Sequence, residues 1–64
     1  MTQKELLYVE DAIEHENSIV SICQETIKNL EDESLVAFIE NEITKHNQIR
    51  ENLMNLLEEK SHEW

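Results

Sequence analysis

The 64-residue sequence contains no glycine and no proline. Without glycine, the phosphate-binding loops that depend on closely spaced glycines are excluded. Without either helix-breaking residue, the chain is expected to form long helices joined by at most one or two turns. A chain of this length makes at most one domain and buries too little surface to be comfortably stable alone.

Basic residues, cysteine and long apolar runs are also scarce. Five Lys and Arg stand against 15 Asp and Glu, a formal net charge of −10. Such a chain repels nucleic acid phosphates and anionic membranes, so neither is an expected partner. Cys23, the single cysteine, is expected to be a small apolar seam residue in a reducing, cytoplasmic environment. The longest apolar run, residues 35–39, is far shorter than the roughly 20 residues that span a bilayer.

Apolar residues recur in the first half of the chain at alternating intervals of three and four, which is typical of a helix with one packed seam. Thr2 and Glu5 have the spacing of a capping box, so they predict the start of a helix over residues 3–29. The predicted first seam, with one polar interruption, consists of Leu6, Val9, Ile13, Glu16, Val20, Cys23, Ile27 and Leu30.

The second half repeats this pattern after a break at residues 30–32. Asn29 tolerates a left-handed helix end, and Asp32 is a favoured N-cap, so the next helix is predicted over residues 33–60. The predicted second seam consists of Leu35, Ile39, Glu42, His46, Ile49, Leu53 and Leu56, flanked by Val36, Ile43, Arg50 and Leu57.

The two predicted helices have matched lengths, and the short turn between them makes an antiparallel hairpin. Each apolar face is wider than a two-stranded seam needs. We therefore predict an all-α hairpin that dimerises into an antiparallel four-helix bundle. Residues 61–64, which include His62 and Trp64, are expected to fray. The residues that widen the first face are Tyr8, Ala12, His15, Ile19 and Ile22.

Charged or ionisable residues interrupt both seams. A carboxylate buried without a partner costs roughly several kcal/mol, so Glu16 and Glu42 need compensation. Counting outward from the turn places Glu16 level with Arg50, which predicts an ion pair between them. Glu42 and His46 are four residues apart on one helix face and predict a second pair. The first hypothesis is therefore a buried polar layer of Glu16, Arg50, Glu42 and His46, with His15 at its rim.

A metal site is the second hypothesis for the same residues. A two-fold axis through the middle of the bundle would bring together four carboxylates and two imidazoles, the ligand set of di-iron and di-manganese bundles. The candidate ligands are Glu16, Glu42 and His46, which also suit zinc. A catalytic nucleophile is not indicated, because Cys23 has only Lys28 nearby to activate its thiol.

Two segments, LYVEDAIEHE at residues 7–16 and ITKHNQI at 43–49, resemble the small spore-coat-like proteins of the spore coat protein F type in the ferritin-like superfamily. The resemblance implies a half-ferritin-like unit that completes its bundle by pairing, in a spore-forming bacterium. Metal-binding members carry Glu-x-x-His, whereas this chain has Glu42 and His46 one residue further apart. Both spacings lie on one helix face, so ligation stays an alternative.

The expected function is a non-enzymatic structural or interaction protein without a cofactor, either cytoplasmic or associated with other spore coat proteins. The alternative is a half-ferritin bundle that binds iron or manganese with ligands from both copies. A third class, the small two-helix phosphatases of sporulation signalling, is disfavoured because their Ser-Gln-Glu-Leu-Asp signature is absent.

Overall fold

The computed structural model describes residues 1–60, which form two helices, α1 (Gln3–Ile27) and α2 (Glu33–Lys60). Tyr8 near the start of α1 lines a groove with Leu56 near the end of α2, and Glu16 in the middle of α1 contacts His46 in the middle of α2. The helices therefore run antiparallel, and the predicted all-α hairpin is confirmed. No helix in this part of the chain is long and apolar enough to cross a membrane.

The start of α1 is closed by the predicted capping box. Thr2 Oγ1 accepts a hydrogen bond from the Glu5 backbone N–H at 3.0 Å, and Glu5 Oε1 accepts one from the Thr2 N–H at 2.7 Å. The bond from the Thr2 backbone N–H, followed by the Thr2 side chain, lowers the pKa of the Glu5 carboxyl. The cap satisfies N–H groups that the first helical turn leaves without partners.

The end of α1 differs from the expectation. The helix stops at Ile27, two residues before the boundary at residue 29 that the sequence suggests. Asn29 does not adopt a left-handed conformation, since no non-glycine residue within 1–60 has a positive φ. Its side-chain Nδ2 instead donates to the Glu25 carbonyl at 3.0 Å, and its backbone N–H donates to the Thr26 carbonyl at 3.0 Å. Asn29 thus ends the helix through its amide group, without backbone strain.

Asp32 caps the start of α2, as predicted. Its Oδ1 accepts hydrogen bonds from the Ser34 hydroxyl at 2.6 Å, the Ser34 N–H at 2.8 Å and the Leu35 N–H at 3.2 Å. The Ser34 hydroxyl is the main reason that the pKa of the Asp32 carboxyl is lowered. The charged cap also interacts favourably with the positive end of the helix dipole.

The hairpin has a contact seam but no core. Its Cα atoms extend over 49 × 15 × 10 Å, so it is one helix layer thick. None of the described residues is fully buried. Every member of the predicted α1 seam is half-buried, which confirms that seam: Leu6, Val9, Ile13, Glu16, Val20, Cys23, Ile27 and Leu30.

The packed side of α2 is rotated relative to the prediction, although Ile39, Glu42, His46 and Leu53 of the predicted seam are half-buried as expected. Leu35, Ile49 and Leu56, assigned to the seam from sequence, are exposed. The residues predicted to flank the seam pack in their place. Two adjacent rows of α2 are apolar, and each of them has the alternating spacing of three and four residues that a seam requires. The half-buried seam of α2 is Val36, Ile39, Ile43, His46, Arg50, Leu53, Leu57 and Lys60.

The rotation gives the hairpin two unlike faces. In each helix, one row of residues comes one position before the seam row. Because the helices are antiparallel, these two rows lie on the same side of the hairpin. Tyr8 and Leu56 belong to them and line one groove on that side. Glu10 and Met54 line a separate groove on the other side, which we call the polar face. The first side, which we call the apolar face, carries Tyr8, Ala12, Ile19, Ile22, Leu35, Phe38, Ile49 and Leu56.

The Asp32 cap predicts a pH-dependent effect of substitution. Because its pKa is lowered in the folded chain, the charged cap stabilises the fold above a pH of about 4 and loses this effect as the pH falls further. Asp32→Ala is expected to lower the melting temperature at pH 7, and the difference from the wild type should shrink below about pH 3. Circular dichroism melts at the two pH values measure it.

The matched control is Asp32→Asn, which keeps a side-chain acceptor but removes the charge. It should melt between the wild type and Asp32→Ala at pH 7. Equal melting temperatures for all three proteins at pH 7 would contradict the assigned role of this cap.

Candidate functional site

The most distinctive feature of the seam is a contact between an acidic and an imidazole side chain halfway along the hairpin. Glu16 Oε2 of α1 lies 2.5 Å from His46 Nδ1 of α2. The two side chains are 15% and 25% exposed, so both are largely shielded from water. Since an ionised carboxylate only accepts hydrogen bonds, His46 donates from Nδ1. The bond fixes the orientation of the ring and leaves Nε2 on its far side.

A second carboxylate lies on that far side. Glu42 Oε2 is 3.8 Å from His46 Nε2, and Glu42 Oε1 is 3.7 Å from Lys45 Nζ. The Glu42 side chain is 27% exposed. Glu16, His46 and Glu42 therefore form a row of carboxylate, imidazole and carboxylate, which we call the Glu–His–Glu cluster. Lys45, itself largely exposed, completes it at the solvent edge.

The predicted ion pair between Glu16 and Arg50 is wrong. Arg50 donates from a terminal guanidinium nitrogen to Asn17 Oδ1 at 3.1 Å, and its Nε is buried without a hydrogen-bond partner. The physical reason is that each side chain has a different partner across the seam. Glu16 is held by His46, whereas Arg50 is held by Asn17, which follows Glu16 by one residue on the polar side of the α1 seam. Level positions therefore do not place Glu16 and Arg50 on the same side of the seam.

Asn17 is the site residue that the sequence did not indicate. A useful signal was available, because an arginine in a packed row needs a hydrogen-bond acceptor on the opposite helix. Asn17, one residue beyond Glu16, is the acceptor on the side to which Arg50 turns. Asn17 is uncharged, so pairing of opposite charges does not predict it as the partner.

The remaining candidates are not brought into the cluster. His15 is exposed and makes no hydrogen bond or ion pair with any described residue. Cys23 is a free thiol, half-buried in the α1 seam. His62 and Trp64 belong to segment 61–64, for which fraying was expected, and lie outside the described residues.

A metal ion would need more ligands than one hairpin provides. Among residues 1–60, no group of three or more His, Cys, Asp or Glu side chains is arranged to hold one. Glu42 and His46 Nε2 offer two donors, and Glu16 stands where a carboxylate often orients a histidine ligand through its other nitrogen. Any metal hypothesis for these residues therefore depends on a second copy of the chain.

The Glu–His–Glu cluster can fix the alignment of α1 against α2. Ion pairs and hydrogen bonds that cross a packed seam favour one register of the two helices over its neighbours, because any slip leaves polar groups unpaired.

Comparison with known proteins adds no candidate activity, since no family model, curated protein or solved structure matches this chain.

The Glu16–His46 bond predicts an effect that an exposed ion pair does not produce. Glu16→Gln should lower the free energy of unfolding by about 1–3 kcal/mol, because the half-buried imidazole loses a charged acceptor. Denaturant melts followed by circular dichroism measure the change.

Glu25→Gln is the matched control, because Glu25 pairs with Lys28 at 3.5 Å and both side chains are largely exposed. We expect the control to change stability by less than about 0.5 kcal/mol. Equal effects of the two substitutions would mean that the Glu16–His46 contact contributes no more than a surface pair.

Proposed function

We propose that this protein is a non-enzymatic structural and interaction protein, a homodimer in which two hairpins stack into a four-helix bundle. The observation that carries the proposal is the absence of any buried residue among residues 1–60. Stable domains pack two layers of secondary structure around a core, and this hairpin supplies a single layer. A second hairpin of the same length would provide the missing layer.

Charge distribution also supports an assembly without an enzymatic site. The ionisable residues in the middle of the seam pair with one another in the Glu–His–Glu cluster, and Arg50 pairs with Asn17. Within residues 1–60, Cys23 and His46 lie on different helices without a bond between them, so the middle of the seam does not place the thiol beside a base. In the proposal, these polar contacts set the register of the bundle.

A cellular setting can be proposed only from the two short segments that resemble spore coat protein F. On that basis the bundle would be ferritin-like, would form in the cytoplasm of a spore-former, and would associate with other coat proteins. The proposal agrees with the acidic surface, which would favour partners that carry excess Lys and Arg.

Thermal unfolding tests the dimer through mass action. A folded dimer that unfolds to two free chains gains stability with concentration, so a hundredfold increase should raise the melting temperature by on the order of 10 °C. A melting temperature that does not depend on concentration would contradict the dimer.

The alternative function is metal binding, and the orientation of His46 favours it specifically. Glu16 holds Nδ1 of the ring, so Nε2 remains beside Glu42 as a pair of donors on one helix. Two copies would supply four donors for iron, manganese or zinc.

Metal analysis of the untagged protein separates the two functions. The metal-binding alternative predicts about half an equivalent or more per chain and a rise in melting temperature when metal is added. Both effects should vanish in His46→Leu. Less than about 0.1 equivalent with no thermal shift leaves the structural function.

A further inference from the structure

The apolar face is the largest feature of the hairpin that its own fold leaves unexplained. Eight large apolar side chains of the described chain are exposed, with exposed fractions of 41–65%. Six of them lie on the apolar face, whereas Leu7 and Met54 do not. Isolated apolar side chains on a surface are ordinary, but several on one face mark an interaction site. The six are Tyr8, Ile22, Leu35, Phe38, Ile49 and Leu56.

We propose that the apolar face is the surface on which a second copy of this chain docks, with its turn at the opposite end of the bundle. The inference rests on the proposed homodimer and specifies its surface and orientation. It leaves the polar face, with Glu10 and Met54, in contact with water.

The size of the face suits a second copy. A face 49 Å long and 15 Å wide projects to roughly 700 Å², close to the about 800 Å² that each partner buries in a standard interface. The face also runs along both helices, from Tyr8 and Leu56 near the open end to Leu35 near the turn. A partner of the same length and shape covers all of it, whereas a single helix would cover only part.

Charge favours the same surface. Each copy carries a net charge of −10, so association requires a face on which acidic groups are few or neutralised. Glu42 is the acidic residue in the middle of the apolar face, and it has His46 on one side and Lys45 on the other. The polar face, by contrast, includes Glu10 and Glu40, neither of which forms an ion pair with another residue of the described part of the chain.

Charge also favours an antiparallel orientation of the two hairpins. Three acidic residues follow one another at the turn, Glu31, Asp32 and Glu33. A parallel stack would set two such turns side by side. An antiparallel stack separates the turns by nearly the whole hairpin, far beyond the screening length of about 8 Å at physiological salt.

Matched lysine substitutions test which face is used. Ile22→Lys and Ile49→Lys place a charge on the apolar face, at side chains that the hairpin itself leaves exposed. Met54→Lys makes the same change in charge on the polar face, where exposure is similar. We expect each of the first two to raise the dimer Kd at least about 100-fold, because two-fold symmetry places every substitution in the interface twice. Met54→Lys should change it less than about threefold.

A distance measurement tests the orientation without disturbing the face. In a Cys23→Ser background, a spin label at Glu31→Cys reports the separation of the two turns in the dimer. The antiparallel stack sets the turns apart by the length of α2, which is about 40 Å because a helix rises roughly 1.5 Å per residue. A separation below about 20 Å, half the length of such a helix, would overturn the proposed orientation.

The outcomes separate this inference from the function on which it rests. A dimer that withstands both isoleucine substitutions, or that is broken by Met54→Lys instead, overturns the choice of face while the homodimer stands. A wild-type protein that is monomeric and folded overturns both. Loss of the dimer in the isoleucine variants alone, together with the long distance between labels, supports the proposal.

Discussion

The constraint on which the structure depends is that two helices in a single layer cannot enclose anything. Each helix presents one side to the other and leaves its remaining sides in water, so even the seam residues are only half-buried. The contribution of the hydrophobic effect is proportional to the apolar area removed from water. A hairpin that leaves Ile22, Phe38 and Ile49 exposed realises only part of that contribution, and the rest becomes available when a second layer covers them.

The Glu–His–Glu cluster acts within this constraint by specifying position. Aliphatic seams of this kind tolerate slippage, because the residues at successive turns are alike. The bond between Glu16 and His46 has one geometry, and shifting either helix by one turn would leave a shielded carboxylate without its donor. Such polar contacts commonly favour one register at some cost in stability. His46 also links the seam to the apolar face through Glu42, so the contact that sets the hairpin lies beside the surface proposed for assembly.

The parts of the fold that sequence could predict are those governed by local interactions. The capping box at Thr2 and the N-cap at Asp32 depend on groups within three residues, and the α1 seam follows from one clear periodicity. The failures are nonlocal. Which of two apolar rows of α2 packs inward depends on the rotation of one helix against the other, and the periodicity allows both. Arg50 shows the same difficulty. Its position along the hairpin predicts Glu16 as its partner, but the side of the seam on which it lies gives Asn17 instead.

The proposal on which the rest depends is that two copies of this chain associate in solution to complete one bundle. Sedimentation equilibrium of the untagged protein at micromolar concentration tests it most directly, with circular dichroism to show that the chain is folded. We expect a single folded species of twice the 7.6 kDa chain mass. A folded, helical species of 7.6 kDa alone would contradict it.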